Sequence, residues 1–213
     1  MTKSQKSPPR KFRRRAEARP DEVLDAALDI FIAKGFAAAR VEDIARAAGL
    51  SKGAVYLYFP SKVAILEALV RRAIVPLVQH AGALALTRES DPRQALILVL
   101  SFIARGLAEP RNAAIPRLIL SEAGTFPELA AMYRREVVDP GLAVLAGLIS
   151  RGIETGVFRA VDPALAVRNA IGPLIVNALM AQIFGFDPPD PERFIKAHID
   201  VLLNGLAARP EGL

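Results

Sequence analysis

Ala45, Gly49 and Val55 stand at the spacing that a helix-turn-helix requires, and this constrains the fold more than any other feature of the chain. A small residue at 45 lets a second helix cross closely. A glycine at 49 supplies a positive-φ turn, and the β-branched Val55 anchors the second helix. Polar and aromatic side chains around those anchors then have one outward direction left, the direction in which such motifs meet DNA.

Around this motif every clear periodicity is helical, and no alternating strand pattern recurs, so the fold class expected is all-α. A first helix is predicted over 20–34, with Pro20 in its first turn and Gly35 ending it. Helices over 41–48 and 52–58 form the motif, with Ser51 as N-cap of the second. Another opens at Pro60 and Ser61 and should kink or end at Pro76. Leu57 and Phe59 are placed on the packed side. Further helices are predicted over 92–108, 113–122, 127–155 with a bend at Pro140, 163–184 capped by Asp162, and 191–207 capped by Asp190.

The division expected is a disordered basic arm over 1–19, a three-helix helix-turn-helix domain over 20–65 and a second helical domain over 66–213. Charge supports it. Lys and Arg outnumber Asp and Glu by 13 to 7 over residues 1–62 and stand at 15 to 15 over the rest, so the whole net charge of +6 lies with the motif. A polyanion partner follows. In the arm, Pro8, Pro9 and further arginines stand where a signal peptide would need an apolar run, which argues for a cytoplasmic protein. The stretch 169–186 is uncharged but carries Asn169, Gly172, Pro173, Asn177 and Gln182, and reads as a helix buried on both sides rather than a membrane span.

With no cysteine and two histidines far apart, thiolate metal sites and disulfides are excluded, and no acid–base or nucleophile constellation stands at a telling spacing. An enzyme, a metal and a cofactor are therefore not expected. Lys52, Gly53 and Ala54 open the second helix of the motif. Lysine suits a phosphate or base edge, glycine a close backbone approach and alanine a thymine methyl. Tyr56 and Tyr58 carry hydroxyls that a core aromatic does not need. Lys62 begins a helix, where its charge opposes the dipole unless an anion is near.

The run Ala26-Ala27, Phe31, Gly35-Phe36, Val41-Glu42-Asp43-Ile44-Ala45, Ala48-Gly49-Leu50-Ser51-Lys52-Gly53, Tyr56, Tyr58-Phe59 and Ser61-Lys62 resembles the DNA-binding domain of TetR/AcrR-family bacterial transcriptional regulators. Phe126-Pro127-Glu128-Leu129, Gly156-Val157-Phe158-Arg159 and Asp162-Pro163 resemble AcrR-like members more loosely. The resemblance implies a cytoplasmic, homodimeric regulator that binds a near-palindromic operator in double-stranded DNA. It implies a repressor released by a small apolar effector. A DNA-binding nucleoid or division factor acting through a partner protein remains the alternative.

The DNA contacts then fall on Arg40, Ser51, Lys52, Gly53, Ala54, Tyr56, Tyr58 and Lys62. Arg40 departs from the family, where a Ser or Thr commonly caps the helix that follows. The effector pocket is expected among Phe102, Arg117, Glu122, Phe126, Met132, Tyr133, Asn169 and Asn177, an apolar wall with a few orienting groups. The dimer interface is expected on the last two helices, through Ala170, Leu174, Ala178, Ile195, Ile199, Leu202 and Leu206.

Overall fold

The computed structural model describes residues 11–86, 91–187 and 189–206, without the side chains of 11–19 and 182. All regular structure among the described residues is helical, and the chain divides into two compact units, Met1–Ala68 and Leu69–Leu213.

In the first unit, α1 (Lys11–Lys34) starts ahead of the expected Pro20 and takes that proline into its interior. Residues 11–19, expected as disordered arm, therefore have helical backbone; the rest of the arm lies outside the described residues. Lys, Arg, Ala and Glu are good helix formers, and the helix runs on through Pro20. Gly35, at φ +76°, ends α1, and its N–H meets the Phe31 carbonyl at 2.9 Å. The motif follows as α2 (Val41–Ala47) and α3 (Lys52–Tyr58). Between them Gly49 sits at φ +66°. Its N–H donates to the Arg46 carbonyl at 3.2 Å, and Leu50 N–H donates to the Ala45 carbonyl at 2.8 Å. That pair of bonds is the Schellman closure that only a left-handed residue allows, which is why glycine stands there. Phe31 and Phe36, Ile44, Ala45 and Val55 are buried, and the two rings tilt together at 5.2 Å between centroids.

The unit boundary falls within α4 (Lys62–Ala73). The second unit continues with α5 (Val75–Ala85), which carries Pro76 in its first turn, and α6 (Pro92–Ala108). Next come α7 (Pro110–Glu122) and α8 (Pro127–Tyr133), a π-helical turn over Arg134–Val138, and α9 (Asp139–Glu154). The last two are α10 (Pro163–Phe184) and α11 (Pro191–Leu206). At the break predicted at Pro140 the helix widens into π geometry. Proline has no N–H for the carbonyl four residues back, and its ring crowds it, so the chain passes through π geometry just before α9. α7 begins at Pro110, earlier than predicted, and carries Pro116 inside it. Both predicted caps form: Asp162 accepts from the N–H groups of Ala164 and Leu165, and Asp190 from that of Arg193 at 2.8 Å.

The core of this unit is built around α6, which touches α5, α7, α9, α10 and α11. Leu96, Val99, Leu145, Ile149, Ala170, Leu174, Leu202 and Leu203 are among its members. α10 is not buried on both sides as expected. The segment Pro163–Ala181 is long and apolar enough to cross a membrane, yet only 22% of its most apolar stretch is buried. Ala166, Val167, Ala170 and Leu174 face the core, while Leu165, Asn169, Pro173, Val176, Met180 and Ile183 stand exposed along the other side at three- and four-residue spacing.

Candidate nucleic-acid interface

Two ion pairs position the motif. Lys52 on α3 pairs with Glu42 on α2, and Asp43 takes the Lys34 ammonium at 2.9 Å. Lys52 holds the Glu42 carboxyl below the usual carboxylate range, and Glu42 in turn raises the Lys52 ammonium. Lys34 lowers Asp43 likewise. The Lys52 ammonium also lies 5.8 Å from the Tyr56 ring centroid. Lys52 is thus held on the outer surface of α3, between the Glu42 carboxylate and the face of the Tyr56 ring. At the start of α3, Ser51 Oγ accepts from Ala54 N–H at 3.1 Å. The cap uses the oxygen as an acceptor and leaves the hydroxyl proton to donate.

Of the expected DNA contacts, Arg40, Ser51, Lys52, Gly53, Tyr56 and Tyr58 are exposed, and Ala54 is half-buried beside them. Lys62 is different. Its ammonium donates to the carbonyls of Phe36, Ala37 and Ala39, at 2.5, 3.1 and 3.0 Å, and lies 4.5 Å from the Phe36 ring centroid. It closes the loop between α1 and α2. The charge that seemed to need an anion is satisfied by three carbonyl dipoles that the sequence alone does not bring there. With its ammonium engaged by these carbonyls, Lys62 no longer needs an anion to account for its place at the start of α4.

Leu57, expected on the packed side, is 85% exposed, and Phe59 is half-buried. The signal was present: Val55 is wholly buried and Phe59 lies one turn on, so a residue midway between them falls on the opposite side of a helix.

Arg40 occupies the N-cap of α2 in extended geometry (φ −113°, ψ 147°) and makes no side-chain cap. The Asp43 carboxylate still draws on Arg40 N–H, so one half of a capping box is present and the hydroxyl half is missing. Arg40→Thr should raise stability by roughly 0.5–1 kcal/mol through the restored cap. The same variant should weaken operator and unrelated DNA by similar factors, because a phosphate contact carries little sequence information. Thermal melts and paired titrations check this; a loss of discrimination between sites would make Arg40 a base reader instead.

In the second unit a cavity of about 130 Å³ lies among α6, α7, α10 and α11, walled by Ala104, Leu107, Ala113, Leu174, Ala178 and Phe194 with Asn177 as its polar member. A wider cleft of about 460 Å³ shares Asn177, Ala181, Pro189 and Phe194 with it and is rimmed by Val176, Met180 and Phe186. Of the expected pocket residues only Asn177 lines these spaces. Phe102 is half-buried and packs on the His80 ring at 4.8 Å. Met132 and Glu122 are buried. Tyr133 is held where burial pushes its hydroxyl up to about 12. Arg117 has a buried Nε with no hydrogen-bond partner among the described residues, Phe126 is the N-cap of α8, and Asn169 is exposed. Residue type marks a pocket wall and a core equally well, so only packing separates them.

Most of the expected interface residues pack within the protomer. Ala170, Leu174, Ile195, Leu202 and Leu206 belong to the protomer's own core, Ile199 packs against it, and Ala178 lines the cavity. Among the exposed large apolar side chains, Leu165, Val176, Met180 and Ile183 lie together on the other face of α10.

A motif whose exposed face carries a lysine and two tyrosines, on a unit separate from a cavity-bearing helical one, defines a DNA-binding transcriptional regulator. Residues 23–69 match the bacterial regulatory proteins of the tetR family, and residues 87–200 match the tetracyclin repressor-like C-terminal domain. The chain belongs to the TetR family. It is 28% identical over 153 residues to the fatty acid metabolism regulator protein of Bacillus subtilis, covering 71% of this chain and 77% of that one. A 40% identity to the HTH-type transcriptional regulator SrpR of Pseudomonas putida extends over 68 residues, so the chain spans about a third of that relative's length (32%). Among solved structures, FadR of Bacillus subtilis in complex with stearoyl-CoA has the same fold, with a TM-score of 0.74 at 21% identity, covering 87% of this chain and 98% of that one.

Proposed function

We propose that this regulator is a cytoplasmic homodimeric repressor that leaves a near-palindromic operator when a small, largely apolar effector binds its second unit. Each α3 enters the major groove of one half-site. The observation that carries the effector is the pair of joined spaces around Asn177. Their walls are apolar, and one amide can orient a polar end group. The kinship with a fatty acid metabolism regulator favours an aliphatic chain, and stearoyl-CoA, held by the FadR neighbour, supplies the probe. Dimerisation is supported by the uncovered side of α10, where Leu165 and Ile183 are exposed and line neither of the two spaces.

The effector must bind the DNA-free conformation better than the DNA-bound one, so coupling is reciprocal. Stearoyl-CoA is expected to raise the melting temperature and to weaken operator binding, and operator should weaken stearoyl-CoA binding by the same factor. Ala178→Leu narrows the cavity and should abolish the stearoyl-CoA effect while leaving DNA affinity intact. If neither stearoyl-CoA nor a library of apolar compounds raised the melting temperature of a DNA-competent protein, the effector would be rejected. A factor acting through a protein partner would then be the better reading.

A further inference from the structure

The outward side of α3 carries an apolar strip that nothing in the protomer uses. Leu57 is the most exposed large apolar side chain among the described residues, at 85%. A single exposed leucine needs no explanation, but its surroundings here are specific. Gly53 stands one helical turn before it on the same side, and both are flanked by exposed Lys52, Tyr56 and Tyr58. A Cβ at Gly53 would meet only Ser51 Oγ, at 3.9 Å, and the residue does not have a positive φ. The protomer itself therefore has room for a side chain at 53 and no backbone reason for glycine, although glycine weakens a helix. The space over Gly53 and the protrusion of Leu57 are shaped for something outside the chain.

The chemistry of that strip limits what it can read. At the side-chain level Gly53 and Leu57 present no donor and no acceptor, so the strip they form cannot match the N7, O6 or amino edges of the bases. The one apolar group that a base pair displays in the major groove is the C5-methyl of thymine. We propose that Leu57 is a specificity-determining residue that packs on a thymine methyl, with Gly53 letting the helix come close enough for it to do so. This rests on α3 entering the major groove, and it selects half-sites carrying thymine at one fixed position.

Deoxyuridine differs from thymidine by that methyl alone, so it isolates the contact. An operator is first selected from random duplex DNA with the full-length protein, and each thymidine in its half-sites is then replaced by deoxyuridine. Wild type should lose about 4-fold in affinity at one position per half-site, the equivalent of ~0.8 kcal/mol for one buried methyl-sized group. With both half-sites replaced, the loss should reach about 15-fold if the sites act independently. Leu57→Ala should bind the thymidine and deoxyuridine operators equally, and close to the wild-type affinity for the latter. The variant removes an exposed side chain in favour of a better helix former, so it should fold. A wild-type protein indifferent to every single replacement would overturn the proposal, as would a Leu57→Ala variant that kept the wild-type ratio. A selection that enriched no sequence would instead remove the groove-entry reading on which the proposal stands.

Discussion

Leu202→Glu is expected to unfold the second unit, whereas Ile183→Glu leaves the protomer folded and abolishes its self-association. Leu202 is 9% exposed and sits with Ile195, Leu203 and Leu206 in the core around α6, so a carboxylate there is buried among apolar side chains. The loss combines the leucine's packing with an uncompensated charge, and should amount to about 5 kcal/mol. That is of the order of the whole stability of many domains. Ile183, by contrast, projects from the uncovered side of α10, and glutamate there costs the isolated protomer little. In a twofold dimer through that face, two glutamates meet across the axis. Thermal melts should separate the pair, with a large fall for Leu202→Glu and near wild-type behaviour for Ile183→Glu. Sedimentation equilibrium should find Ile183→Glu monomeric. A folded, monomeric Leu202→Glu would return the interface to the buried stripe and reject the α10 face.

Lys62→Met should lower the stability of the first unit by about 2–3 kcal/mol, since one ammonium serves the carbonyls of Phe36, Ala37 and Ala39. Methionine keeps much of the stem's packing and removes only the charge and its donors. DNA affinity should fall by the fraction of protein with an ordered motif, equally for every sequence. The dependence of log K on log salt should not change. A lysine bound to phosphate predicts the opposite pattern: an unchanged melting temperature, with the slope flattened by about 0.9 for each phosphate no longer neutralised. The two observables therefore decide between a loop clamp and a DNA contact, whichever way the affinity moves.

Residues that act through local backbone chemistry are legible in the sequence. Gly49 has to take positive φ, Ser51 has to cap α3, and Asp162 and Asp190 have to cap the last two helices, because each role is played within four residues of itself. The missing hydroxyl at Arg40 is readable for the same reason. The break between α4 and α5 near Pro76 follows from the ring and the absent N–H, while at Pro140 the same cause gives a π-helical turn.

What the sequence determined by itself is thus the all-α class, the motif and the caps, all governed by spacing along the chain. Tertiary structure alone decided which way the ambiguous residues point. α10 is apolar on nearly every side, so periodicity cannot phase it, and only its packing on α6 and α9 separates the core face from the face left for another molecule. α11 has one strong stripe, and its own core claims it before any partner can. The partners of Lys62 lie 23 to 26 residues away in the chain, and an interaction of that range has no local signature. A side chain's energy is set by what surrounds it in space, and for these residues the surroundings come from distant parts of the sequence.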